Sequence, residues 1–173
     1  MFSRGRLRQL ETENELYDAA LRALMRRSLS VQEMQKKLYR YTGNELLVHV
    51  VVARLKENGH LNDQRYAQQF ARNRTQSRKQ GHFRIARELR ARGVADSDIN
   101  AALESSAAET DPAALVRERI ERKRKSFRGK IDDKRIASIY GSLLRAGFPA
   151  DLIRSELQRL TRDEIPRSDA QEE

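Results

Sequence analysis

Apolar residues recur at helical spacing along most of the chain. Leu16, Ala20 and Leu24 make one stripe, and Val31, Met34, Leu38 and Tyr41 make the next. Tyr66 and Phe70, Ile85 and Leu89, then Ile99 and Leu103 continue the pattern. Val116 and Ile120, Ile136, Ile139 and Leu143, then Ile153, Leu157 and Leu160 complete it. Residues three or four apart share one face of an α-helix, so each stripe predicts a helix that buries one side. The β-branched run Leu47–Val52 has strand propensity, but its continuation through Ala53, Leu55 and Lys56 favours a helix.

Start and stop signals divide the stripes. Ser30 and Glu33 form a capping box, with Leu29 and Met34 placed as its hydrophobic staple. Thr42 and Glu45 repeat the device, flanked by Tyr41 and Leu46. Asn62 or Asp63 caps the helix that carries Tyr66, and Asp111 is a cap followed by Pro112 at the first helical position. Gly59, Gly93 and Gly147 each follow a stripe, where a left-handed C-cap favours glycine. The sum is an all-α chain of about nine helices joined by short turns.

The pattern also repeats. Residues 92–103 align without gaps with residues 146–157, Leu89 matches Leu143, and the Val51/Leu55 pair has the spacing of Ile99/Leu103 and Ile153/Leu157. A period of about 50 residues lies in the range of helical arrays. Three tandem three-helix repeats are expected at 11–60, 61–107 and 108–161, between a flexible basic N-terminus at 1–10 and a flexible acidic tail at 162–173.

Composition narrows the function. The 173 residues carry a formal net charge of +10, and 35% are charged against 38% hydrophobic, so the cores must be small. Without cysteine there is no disulfide framework, thiol nucleophile or thiolate metal site, which fits a reducing compartment. The N-terminus has no apolar core of a signal peptide, and the longest apolar run, Leu46 to Val52, is broken by His49 and too short to cross a bilayer. A cytoplasmic protein is expected. Nucleotide-binding glycine loops and His-Glu-x-x-His are absent, and His49, His60 and His82 are scattered. His49, in an apolar helix, reads as a core or boundary residue. Asp132 and Asp133, like Asp96 and Asp98, read as caps and first-turn charges. No catalytic residue, cofactor or metal is expected, and the chain is not read as an enzyme.

The uneven placement of positive charge is the informative feature. One cluster holds Arg26, Arg27, Lys36 and Lys37, with Arg22 and Arg40 nearby. A second holds Arg72, Arg74, Arg78, Lys79, Arg84 and Arg87, within a stretch from Arg65 to Arg92 opposed in sequence only by Glu88. The third, between Arg117 and Arg135, includes Arg122, Lys123, Arg124 and Lys125, then Arg128 and Lys130. Each falls between the first two helices of its repeat or on their flanks. Stacked in register, the clusters would form one basic stripe for a polyanionic partner. Arginine dominates, which favours forked contacts to phosphate or carboxylate. Interleaved aromatics are few: Phe83 and Phe127 are candidates to stack on bases but read better as core.

The segment Glu57-Asn-Gly-His-Leu-Asn-Asp-Gln-Arg-Tyr-Ala67, followed by Phe70 and Arg74, resembles a Gly-Tyr-Leu-Asp/Asn-Asp-x-Arg-Phe/Tyr-Ala pattern. Gly81, Ile85 and Glu88-Leu89-Arg-Ala-Arg-Gly-Val94 resemble the Gly-x-x-x-Ile-x-x-Glu-Leu-x-x-Lys-Gly-Ile that follows it. Ser30-x-x-Glu33-Met-x-x-Lys37-Leu38 and the Leu143–Gly147-Phe148 turn fit as well. Together they resemble the RecX family, bacterial regulators of the RecA recombinase. The likeness covers roughly residues 15–160; His60 replaces the usual aromatic and Arg92 the usual Lys. It implies an elongated, curved rod of three-helix repeats that binds in the groove of the RecA–DNA filament; the polar ends and the lack of a large apolar stripe lead to the expectation of a monomer. The likeness also implies DNA binding and inhibition of RecA's ATPase, strand exchange and coprotease activities, in DNA repair and the SOS response; the basic stripe without a base-reading set makes that DNA binding weak and sequence-tolerant in expectation. The alternative is a helix-turn-helix-like nonspecific DNA-binding protein. Against it, the third helices carry Glu104 and Glu156 beside Asn100, Arg154 and Gln158, too acidic for a groove reader. A membrane-surface role would need a basic helix with a large aromatic apolar face, which no helix offers.

Overall fold

A computed structural model describes residues 9–127 and 132–164. Among them the regular structure is entirely helical: α1 (Glu13–Arg26), α2 (Val31–Leu38), α3 (Glu45–Glu57), α4 (Asp63–Arg78), α5 (His82–Arg90), α6 (Asp96–Glu109), α7 (Pro112–Lys125), α8 (Asp133–Ala146) and α9 (Ala150–Glu164). The expected tails lie outside the described residues from 1 to 8 and from 165 onward, as do Arg128 and Lys130.

Local chemistry sets the helix starts. Ser30 and Glu33 make both bonds of the capping box at 3.1 Å, and Leu29 and Met34 are buried in one core. Asn62, not Asp63, caps α4, its Oδ1 accepting the Arg65 N–H at 2.8 Å. Asp111 accepts from Ala113 and Ala114 ahead of α7, and Asp132 from Arg135 ahead of α8. The second capping box does not form. Thr42 Oγ1 accepts the Asn44 N–H at 3.2 Å instead, and Asn44 Oδ1 takes the Leu47 N–H at 3.1 Å. Thr42 is thereby occupied in a tight side-chain turn two residues early, and Glu45 becomes the first residue of α3, not its third. Gly59, Gly93 and Gly147 have the expected positive φ, at 70°, 74° and 91°.

The chain divides into two compact units, with the division falling inside α4, α5 and α6. One comprises residues 1–70 and 88–102. Here α1, α2 and α3 pack pairwise over a core that includes Leu16, Met34, Leu38, Val48, Val51 and Leu55. The strand-prone run resolves as a helix face: Val48, Val51, Val52 and Leu55 are buried, while Leu46, His49 and Val50 are exposed. His49 is therefore a surface residue and not a core histidine; its Nε2 lies 3.4 Å from the Tyr39 hydroxyl. The turn before α2 docks on the turn after α5. The Ser30 hydroxyl donates to the Arg92 carbonyl at 2.6 Å, and Asp63 Oδ1 accepts the Val31 N–H at 2.9 Å.

The other unit comprises residues 71–87 and 103–173. Here α7, α8 and α9 pack pairwise over Val116, Ile120, Ile139, Leu143, Phe148 and Ile153. Its joint is made by main chain. The turn before α5 docks on the turn after α8, with the Gly81 N–H on the Ala146 carbonyl at 2.8 Å and the Phe83 N–H on the Gly147 carbonyl at 3.1 Å. Neither backbone leaves room for a Cβ at Gly81 or Gly147.

Candidate binding surface

The expected cations separate into those the fold neutralises and those it leaves open. In the first unit Arg27 pairs with Glu33 at 3.2 Å, and Lys36 donates to Gln32 at 2.9 Å. Arg26 and Lys37, which have no ion-pair partner among the described residues, line a hollow with Arg22, Ala19 and Tyr41.

The second unit is richer. Glu88 is the only acid in the sequence stretch from Arg65 to Arg92, but folding brings others to it. Glu109 from α6 pairs with Arg72 at 3.1 Å, and Glu118 from α7 with Lys79 at 3.3 Å. Arg84 donates to the Arg145 carbonyl at 3.3 Å. Arg78, Arg87 and Arg122 have no ion-pair partner among the described residues and stand exposed. Of the third cluster, Arg124 pairs with Glu121 at 3.2 Å and Lys123 Nζ sits 5.6 Å from the centre of the Phe127 ring. Lys125 is exposed.

Arg119 ties the second and third clusters together. Its Nε donates to the Lys79 carbonyl at 2.6 Å and its Nη2 to the Arg78 carbonyl at 2.9 Å. These carbonyls end α4, so the guanidinium satisfies groups the helix cannot. They also flank Lys79, whose φ of 51° is the only positive value at a non-glycine among the described residues. Burial pushes the Arg119 pKa down, and the charges of Arg122 and Arg84 push the same way against Glu118. Arg119 is thus a half-buried guanidinium with Arg122 and Arg84 as like-charged neighbours and Glu118 as the opposing one. Sequence reading missed Arg119 because Glu118 and Glu121 flank it. The available signal was its i, i+3 relation to Arg122 on one helix face.

The two aromatics, both expected in the core, differ. Phe83 is not core: its side chain is 59% exposed at the second position of α5, and its ring centre is 4.1 Å from that of His82. The stripe of α5 runs through Ile85, Ala86 and Leu89, which are buried, and Phe83 lies off that face. Phe127 is partly buried against the core, with Lys123 and Arg135 over its ring. Burial pushes the His82 pKa down, opposed by Asp151.

A cavity of about 250 Å³ opens between the ends of α4 and α6 and the starts of α5 and α7, lined by residues such as Leu103, Pro112, Leu115 and Phe148. The one carboxylate in its wall is Glu104, so it does not suit a polyanion. Among the described residues, no three His, Asp or Glu side chains converge as metal ligands would. No described helix is long and apolar enough to cross a membrane.

The chain is similar to known proteins over most of its length. A family model described as "RecX, second three-helix domain" matches residues 62–103. The regulatory protein RecX of Halorhodospira halophila is 42% identical over 139 residues, covering 80% of this chain and 83% of the relative. That of Trichlorobacter lovleyi is 32% identical over 149 residues, covering 84% of this chain and 96% of the relative. The crystal structure of RecX from Lactobacillus salivarius shares the fold with a TM-score of 0.74 at 22% identity, over 87% of this chain and 97% of that one.

Proposed function

The chain belongs to the RecX family of regulatory proteins, and from that premise we propose that it docks on the RecA–DNA filament and restrains RecA. The observation that carries this reading is the set of exposed cations without an ion-pair partner among the described residues of one compact unit, Arg78, Arg87 and Arg122, with Arg122 near the half-buried Arg119. With a net charge of +10 on the chain, they give a polyanionic filament an electrostatic target. Arg26, Lys37 and Lys125 extend the same chemistry. The repeats at 11–60, 61–107 and 108–161 would each offer one cation cluster.

A protein that grips neighbouring filament protomers in one relative geometry opposes the conformational cycling that ATP hydrolysis requires, because it binds one state better than the others. The same grip opposes strand exchange and coprotease activity. The chain itself supplies no catalytic group to this scheme. Binding to DNA alone rests on phosphate contacts, so it is weak, sequence-tolerant and steeply salt-dependent. The setting is cytoplasmic DNA repair and recombination.

The test is the ATPase of RecA on single-stranded DNA, with the parent and with the triple variant Arg78→Glu, Arg87→Glu, Arg122→Glu. The parent is expected to suppress hydrolysis, and the folded triple variant to lose most of that suppression at moderate salt. Equal suppression by both would reject this surface as the docking site. A parent that leaves hydrolysis untouched but retains bulk DNA would favour a nonspecific DNA-binding protein.

A further inference from the structure

We propose that Phe83 is a stacking platform for an unpaired nucleobase, flanked by the arginines that would hold the adjoining phosphates. The inference rests on the reading of this surface as the one that faces the filament, and it names the chemistry the surface recognises: single-stranded nucleic acid.

A lone exposed apolar residue is ordinary on a protein surface. The surroundings of Phe83 are not. Its ring is 59% exposed, beside the His82 ring at 4.1 Å between centres. One helical turn on, at i+4 and so on the same face of α5, stands the exposed Arg87. The next residue is Arg84, whose charge lowers the Arg119 pKa together with that of Arg122. Sequence-tolerant single-strand binding combines these two elements: cations that track the backbone and aromatic faces on which bases stack.

The platform is also held in place. The Phe83 N–H bonds the Gly147 carbonyl at 3.1 Å, and two residues earlier the Gly81 N–H bonds the Ala146 carbonyl at 2.8 Å. The main chain beneath the ring is thus fixed to the turn after α8, so little order remains to be imposed on binding. These bonds are main-chain bonds, and changing the Phe83 side chain leaves them intact.

The experiment uses the full chain, a thymidine oligonucleotide, and a strand of the same length and phosphate count whose sugars carry no bases. Phe83→Leu is expected to weaken binding of the thymidine strand by roughly five- to a hundredfold, the range of one lost stack, at fixed moderate salt. Its affinity for the abasic strand is expected to match the parent's. Phe83→Trp is expected to keep the thymidine affinity, with indole emission quenched by that strand and not by the abasic one. The parent has no tryptophan, so the signal is unambiguous. An unchanged thymidine affinity in folded Phe83→Leu would overturn the proposal. So would an equal loss on both strands, which would mean that the ring supports the cations only. If Phe83→Leu fails to fold, the tryptophan signal decides, and an unquenched indole overturns the proposal. A parent that binds no thymidine strand also overturns it, while docking on the filament stands or falls separately by the ATPase of RecA.

Discussion

Gly81 and Gly147 meet main chain to main chain: a Cβ on Gly81 would overlap the Gly147 carbonyl, and one on Gly147 would overlap the Arg84 nitrogen. Backbone cannot swing aside as a long side chain does, so neither overlap is cheaply relieved. The Ser30 hydroxyl on the Arg92 carbonyl makes the corresponding joint in the other unit. In both, the residue that caps a second helix touches the turn that ends in a left-handed glycine. Gly81→Ala is therefore expected to destabilise by about 2 kcal/mol or more, within the range for overpacking. Gly59 has a similar φ of 70° but open space around a Cβ, so Gly59→Ala should cost only about 1 kcal/mol, the left-handed penalty alone. Urea unfolding of the two variants checks the order, and equal losses would remove the steric argument.

Ser30 holds three bonds at once. It caps the Glu33 N–H, gives its own N–H to the Glu33 carboxylate, and donates its hydroxyl to Arg92. It is fully buried, so Ser30→Ala leaves the Arg92 carbonyl and the Glu33 N–H without these partners. A loss of about 1–3 kcal/mol is expected. Ser30→Thr keeps the hydroxyl and should recover the cap, with the added methyl as the only strain. Thermal melts of both variants distinguish hydrogen bonding from packing.

These joints show which parts of the molecule were legible in the sequence. The Ser30–Glu33 box is a local interaction within four residues, and its spelling carries its geometry. The Thr42 box has the same spelling, yet Asn44 lies close enough to compete for the cap, and the nearer acceptor wins. The stripes located the cores because burial follows the helical period. They said less about Phe83, since at the first turn of a nine-residue helix one period does not define a face. The proposed binding surface was legible only as clusters of like charge. Its division into neutralised and open cations was not, because Glu109 and Glu118 reach Arg72 and Lys79 from helices distant in sequence.

Asp63 gives a pH signature. Burial pushes its pKa above 3.8, reinforced by Asp98 and Glu33 and opposed by the Val31 N–H and Lys56. The folded state therefore holds the Asp63 proton to a higher pH than the unfolded state does. Its contribution to stability is most favourable below the unfolded value and declines as pH rises through the folded value. Asp63→Asn keeps an oxygen for Val31 and removes the buried charge. At pH 7 this variant should be at least as stable as the parent, and its advantage should shrink as pH falls towards 4. Asp63→Ala leaves the Val31 N–H unpaired and should lose about 1 kcal/mol at either pH. An advantage of the Asn variant that grows on acidification would contradict the assignment.

The last prediction separates open from neutralised cations, a distinction that charge reversal over the whole cluster would blur. Glutamate in place of Arg72 or Lys79 would face Glu109 or Glu118 and strain the fold, so lost binding would have two causes. Neutralisation avoids this. An arginine without a counter-ion releases condensed counterions from DNA when it meets a phosphate, and each such contact contributes about 0.7 to the logarithmic salt slope on single strands. Replacing Arg78, Arg87 and Arg122 together by Gln should flatten the slope by about 2. Replacing Arg72 and Lys79 by Gln should flatten it by less per residue, because these cations must first leave their carboxylates. The paired set should instead cost a little stability, about 0.2–1 kcal/mol for each exposed pair. Titration of a thymidine oligonucleotide across a range of salt, beside urea unfolding of both variants, reads the two effects separately. Should the paired set flatten the slope as steeply as the open set, the ion pairs with Glu109 and Glu118 do not persist in solution. The whole cluster would then act as one undivided field.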